Sequence, residues 1–169
     1  MKQQNPFQQF VQKFASTRLG AWFGAHALHH FDRGFYRLSG GQATLTSVLA
    51  GLPMVVLTTT GAKSGLTRTT PLVAILEADD QSCFALIASN WGQNHHPGWY
   101  HNLKANPVAT GTIKGKSRPY RAREASGEEY DHYWQRASQI YLGYPLYKQR
   151  VGDRRIPIMV LEAEPESRS

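Results

Sequence analysis

A mainly β, α+β fold is what the sequence predicts: a small antiparallel barrel over residues 51–165, preceded by an amphipathic helical extension over residues 1–50. Three observations carry that expectation. Short β-branched runs separated by turn residues recur from Leu52 onward; their connections are mostly short turns rather than interleaved helices; and the apolar texture changes from helical to strand-like near residue 50. In the extension, Phe7, Phe10, Val11 and Phe14 recur at helical spacing, and the phase continues to Ala21 and Trp22. A second short helix is expected around residues 20–32, ahead of a Gly40-Gly41 hinge. The apolar face of this pair either caps the core or lies in a membrane interface, where Phe, Trp and Leu opposite Lys13 and Arg18 is a suitable composition.

Within the barrel, Met54–Thr60 reads as a buried strand ending at Gly61, and Pro71–Glu77 as a second, with Asp79-Asp80-Gln81 as its turn. Ser82–Ser89 is the third. Pro107–Ile113, the turn Lys114-Gly115-Lys116 and Ser117–Glu124 form a further hairpin, and Ile156–Leu161 closes the set. Two helices interrupt the strands. One spans about 97–106, opened by Pro97 and stopped by Asn106-Pro107. The other starts at a capping box, Ser126 with Glu129, and runs to about Leu142, where Gly143 and Pro145 end it.

Composition bounds the function. A chain of 169 residues with 41% hydrophobic content is large enough to bury a core without staples, and its single Cys83 excludes a disulfide framework. No apolar stretch reaches the length of a signal peptide core or of a spanning helix, so a cytoplasmic protein is expected, with membrane association through residues 5–37 as a further partner surface. Nineteen Lys and Arg against twelve Asp and Glu leave a net charge of +7, which excludes an acidic solvating protein. The anionic partner is nucleic acid, a membrane surface or a phosphorylated small molecule. The scattered basic residues and the lack of a recognition helix speak against nucleic acid.

Three segments can carry chemistry. Thr58–Pro71 combines Gly61 and Gly65 with Lys63, Ser64 and Arg68, so backbone donors and two cations can surround a phosphate; a polar hairpin turn has the same composition. It is not a Walker A loop, because the spacing is absent and no helix follows. Ala88–Leu103 mixes Ser89, His95, His96, His101 and Asn102 with Trp91, Trp99 and Tyr100, as expected of a pocket for a flat ring, although Trp99 by itself suits the core. The histidines lack the Cys pairs, carboxylates or His-Glu-x-x-His spacing of a metal site, and no metal is expected. Tyr141, Tyr144 and Tyr147, spaced by three around a bend at Gly143 and Pro145, are either a lid over a ligand or surface tyrosines with wet hydroxyls.

These residues resemble a known family, the deazaflavin-dependent nitroreductases, also called quinone reductases, that use coenzyme F420. The resemblance runs from about Pro53 to Glu162 and rests on Leu57–Gly65 with Arg68, Pro71 and Leu72; on Ala88-Ser89; on Pro97–Pro107; and on Tyr141–Tyr144 with Tyr147 before Arg155–Ile158. It implies a split β-barrel of the flavin-reductase and pyridoxamine-oxidase type. By the resemblance, Gly61, Lys63, Ser64, Gly65, Arg68, Pro71 and Leu72 lie along the cofactor, with Ser89, Trp99, Tyr100 and Asn102 around it. Ser89 and Tyr141, Tyr144 and Tyr147 would attend an acceptor that takes a hydride: a quinone, a nitroaromatic or an activated alkene. Many relatives have Arg where this chain has Ala62, which removes one phosphate contact, and Trp91 narrows the expected acceptor pocket. The alternatives are an FMN-dependent reductase of the same fold and a noncatalytic carrier of an apolar anionic ligand. A monomer or homodimer is expected.

Overall fold

The computed structural model describes residues 52–77 and 81–165. The expected extension over residues 1–50, with its two helices and its membrane-facing segment 5–37, lies outside the described residues, as do Asp79 and Asp80 of the expected turn. Among the described residues six strands form: β1 (Met54–Thr60), β2 (Thr67–Leu76), β3 (Cys83–Ile87), β4 (Val108–Ile113), β5 (Lys116–Glu124) and β6 (Ile158–Ala163). All neighbours are antiparallel, and the order β1-β2-β3-β6-β5-β4 closes into a barrel. The α-helices among the described residues are α1 (Gly98–Ala105), α2 (Gly127–Ile140) and α3 (Gly143–Arg150). Among the described residues no helix is long and apolar enough to cross a membrane.

Alternation along the strands separates two apolar clusters. Phe84 and Leu86 of β3, with Met159 and Leu161 of β6, point into the barrel beside Val55 and Leu57; Trp99 and Leu103 of α1 join them there. The intervening residues Ala85, Ile87, Ile158 and Val160 face outward and are covered by Tyr133 and Ala137 of α2 and Tyr144 and Tyr147 of α3. Both faces of β3 and β6 are thus buried, which is why these strands read as continuous apolar runs. Lys114 and Gly115 have φ of 50° and 79°, the two left-handed residues that a tight β4–β5 turn requires.

Several boundaries differ from the sequence expectation. β2 starts at Thr67 rather than Pro71, because Thr67–Thr70 pairs with Leu57–Thr60 across the hairpin. Pro71 fits inside β2 because β3 pairs only with Ala74–Leu76, leaving that side of Pro71 without a ladder partner. Residues 143–150 are helical, with Pro145 in the first turn of α3, where its missing donor costs no intrahelical bond. β6 begins two residues after Ile156.

The expected capping box does not form. Ser126 is the N-cap of α2 but its hydroxyl makes no capping bond. The Glu129 carboxylate instead accepts a two-pronged bond from Arg123, at 2.6 and 2.7 Å, and Arg123 also reaches Glu162 at 2.8 Å. A charge-assisted, bidentate partner outcompetes a neutral backbone N–H for the carboxylate. Arg123 holds the Glu129 carboxyl below its usual range, chiefly through this hydrogen bond. A depressed folded-state pKa contributes stability at neutral pH that is lost as the pH falls through it. Urea unfolding should therefore show stability declining below the ordinary carboxylate value of 4.5, with a shallower decline in Arg123→Gln. Parallel pH profiles for the two proteins would remove this pair from the acid limb.

Candidate functional site

The glycine loop, Gly61–Leu66, joins β1 to β2. It is closed by bonds from Gly61 N–H to the Leu66 carbonyl and from Gly65 N–H to the Gly61 carbonyl, each 2.8 Å. A Cβ on Gly61 would lie 2.6 Å from Ser64 Oγ and 3.1 Å from the Leu66 carbonyl oxygen, so the turn needs glycine there. Gly65, at φ 66°, supplies the left-handed residue. Asn102 then ties the loop to the barrel: its Oδ1 accepts from Ala62 N–H at 2.9 Å and its Nδ2 donates to Thr59 Oγ1 at 3.0 Å. Asn102 is held by α1, whose Trp99 and Leu103 are buried in the barrel interior.

The two expected cations lie at this loop but on different elements. Lys63 is on the loop, whereas Arg68 stands in β2 opposite Thr59. Both are exposed, and neither forms a salt bridge among the described residues. Lys104 of α1, by contrast, pairs with Glu124 at 3.1 Å. Exposed backbone, a hydroxyl at Ser64 and two uncompensated cations fit a phosphorylated ligand. Pro71 and Leu72 follow on β2, half-buried.

Around the second segment the structure separates roles. Trp99 is core, as the sequence suggests for it alone. The Tyr100 hydroxyl donates to Glu124 at 3.1 Å, and burial together with that carboxylate pushes its pKa up. Ser89 is buried at the end of β3, and its hydroxyl caps nothing in the short turn that follows. That turn is strained. Asn90, Trp91 and Gly92 have φ of 49°, 58° and 77°, and a left-handed residue other than glycine costs on the order of 1–2 kcal/mol.

Tyr141, Tyr144 and Tyr147 are buried, which corrects the reading of them as surface tyrosines with wet hydroxyls. Tyr141 and Tyr147 share a hydroxyl–hydroxyl bond of 2.8 Å, and Tyr144 meets their rings edge-on at 5.2 and 6.5 Å. Burial pushes all three phenols upward, so each is a neutral hydrogen-bonding group at ordinary pH. Tyr141 is the C-cap of α2 while Tyr144 and Tyr147 lie one helical turn apart on α3, and all three join Ile87 and Ile158 in the outer cluster. Trp91 packs on Tyr147 at 6.4 Å, linking the turn after Ser89 to this group.

One residue escaped the sequence reading. Arg154 donates from Nη2 to the carbonyls of Ser89 and Gln93, at 3.1 and 2.9 Å, and from Nη1 to His96 Nδ1 at 2.9 Å. Only its place just before Arg155–Ile158 gave a hint. A family model described as F420H(2)-dependent quinone reductase matches residues 30–163. An F420H(2)-dependent quinone reductase of Mycobacterium tuberculosis is 36% identical over 112 residues, 64% of this chain and 72% of the relative. A solved F420-H2 dependent reductase is 41% identical, with a TM-score of 0.59 over 65% of this chain and 94% of that one. A second structure, described as a domain-swapped dimer, is 37% identical, with a TM-score of 0.61 over 77% and 95% of the two chains.

Proposed function

The chain belongs to the F420H(2)-dependent quinone reductase family, and from that premise we propose the following division of labour within its site. The protein is an oxidoreductase that takes coenzyme F420 as its cofactor and a quinone as acceptor; nitroaromatics and activated alkenes share the electron-poor character of the quinone and extend the acceptor class. The observation that carries the cofactor assignment is the ordered Gly61–Leu66 loop with Lys63 and Arg68 uncompensated beside it. Lys63, Ser64 and Arg68 hold the phosphate, with Gly61 and Gly65 permitting close backbone approach. Asn102 keeps the loop in shape. Pro71, Leu72, Tyr100 and the Trp99 region border the ring.

Hydride donation from carbon 5 of the ring is the chemistry the deazaflavin supplies when bound. The chain's own contribution is placement and charge stabilisation. Ser89, whose hydroxyl is uncommitted in its own turn, donates to the acceptor oxygen on which negative charge develops. Tyr141, Tyr144 and Tyr147, neutral and buried, form the wall behind it; a shift of α3 would bring a phenol to the acceptor. A homodimer suits the family, given the relative described as a domain-swapped dimer, and residues 5–37 provide the contact with an anionic membrane surface.

Titrating the purified protein into F420 should quench or shift the deazaflavin fluorescence, and adding menadione with reduced F420 should oxidise the cofactor. Absence of binding at tens of micromolar cofactor would overturn the assignment. Flotation with anionic vesicles, comparing the full chain with a form that starts near Ala50, tests the membrane contact separately.

A further inference from the structure

The turn after Ser89 runs through three consecutive left-handed residues, two of which carry side chains, and such a backbone persists only where its surroundings hold it. On the barrel side the anchor is plain: Ala88 N–H bonds the Pro157 carbonyl at 2.9 Å. On the far side, Gly92 N–H returns to the Ser89 carbonyl and Gln93 N–H to the Asn90 carbonyl, each at 3.0 Å. Asn90 Nδ2 also donates to the His95 carbonyl at 3.0 Å and Trp91 packs on Tyr147, and Arg154 is the restraint that spans the whole turn. Its Nη2 straddles the turn, from the Ser89 carbonyl to the Gln93 carbonyl, while Nη1 holds the His96 ring.

All three of these bonds converge on residues 89–96. Arg154 makes no salt bridge among the described residues, and its Nε is buried without a hydrogen-bond partner. The positive charge is delivered to the carbonyl of Ser89, the residue whose hydroxyl caps nothing in its own turn. The bond to Nδ1 requires neutral His96, with its proton on Nε2. Burial, followed by the charge of Arg154, pushes the His96 pKa down and so keeps that arrangement in place at neutral pH. Arg154 also belongs to the segment leaving α3, bonding from its own N–H to the Val151 carbonyl at 3.2 Å, so it ties the tyrosine helix to the Ser89 turn.

We propose that Arg154 is a positioning residue for the reaction, fixing the left-handed turn so that the Ser89 hydroxyl is held for the acceptor; the inference rests on the reading of the site given above. The full-length protein is assayed with reduced F420 and menadione. In Arg154→Ala, kcat should fall roughly 10–100-fold, the effect of a small misplacement of a reacting group, while the dissociation constant for F420 changes by less than about threefold. Added guanidine should restore part of the lost kcat. Because Arg154 acts through Ser89, the double variant Ser89→Ala/Arg154→Ala should lose little more than Ser89→Ala alone.

Full kcat in Arg154→Ala, or losses that multiply in the double variant, would overturn the proposal. Should Arg154→Ala fold poorly, His96→Ala removes one acceptor of the clamp and should lower kcat in the same direction, with F420 affinity retained; unaltered kcat there counts against the clamp. Hydrogen exchange on the cofactor-free protein supplies an independent readout: the Gly92 and Gln93 amides should exchange faster in Arg154→Ala, and equal rates would refute the restraint. Wild-type protein that neither binds nor oxidises F420 would instead overturn the family chemistry, a result the variants cannot mimic.

Discussion

Replacing Lys63 and Arg68 together with alanine should raise the dissociation constant for F420 by about a hundredfold or more. A hydrogen bond to a charged group contributes roughly 1.5–3 kcal/mol, and both side chains are exposed, so the lower figure applies to each. Two such losses amount to about 3 kcal/mol, or somewhat over a hundredfold. Salt dependence of binding should flatten at the same time, because screening acts on the charges that have been removed. The fold should tolerate the change, since neither residue makes a salt bridge among the described residues. Fluorescence titration at two ionic strengths checks both effects. Unchanged affinity with unchanged salt slope would move the phosphate elsewhere on the molecule.

The second large effect is expected at Gly143, where a Cβ would stand 2.5 Å from Tyr141 Cζ and 2.7 Å from its hydroxyl. The Tyr141 ring folds directly over the first residue of α3, so Gly143→Ala must expel it. Overpacking costs about 1–3 kcal/mol, and loss of the 2.8 Å bond between Tyr141 and Tyr147 adds about 1 kcal/mol. A fall in Tm of roughly 5–15 °C follows for a chain of this size. Gly98→Ala is the matched control: Gly98 also opens a helix, but a Cβ there meets nothing within 4 Å. Its Tm should stay within about 2 °C of the parent. Similar melting curves for the two variants would mean that α3 and Tyr141 move apart readily.

Strand content and barrel closure were legible because alternation and turn residues are local signals. Lys114-Gly115 marked its hairpin, and the apolar runs of β3 and β6 marked strands buried on both faces. What escaped reading depended on partners distant in sequence. Ser126 and Glu129 have the spacing of a capping box, yet Arg123 and Glu162 decide where the carboxylate goes. The triple tyrosine spacing was visible, but its direction was not: only the gathering of α2, α3 and the outward faces of β3 and β6 into one apolar cluster turns the phenols inward. Asn102 could be singled out by resemblance, whereas its bonds to Ala62 and Thr59 lie some forty residues away along the chain. Arg154 was the least legible, because an arginine amid other basic residues carries no mark of the carbonyls it will meet.

The position of β6 bears on how the molecule is assembled. It is the last of the described strands in sequence, yet it sits between β3 and β5, pairing residues such as Cys83 with Glu162 and Ile87 with Ile158. Until β6 docks, β3 has only β2 beside it and the barrel is an open sheet with two bare edges. Those contacts close long loops, so the rate of folding should be governed by a late, non-local step rather than by the early hairpins β1–β2 and β4–β5. Arg154, a few residues before β6, can grip the Ser89 turn only once that step is complete. The site therefore matures last, and a chain still being synthesised would display its phosphate loop before it had a working place for an acceptor.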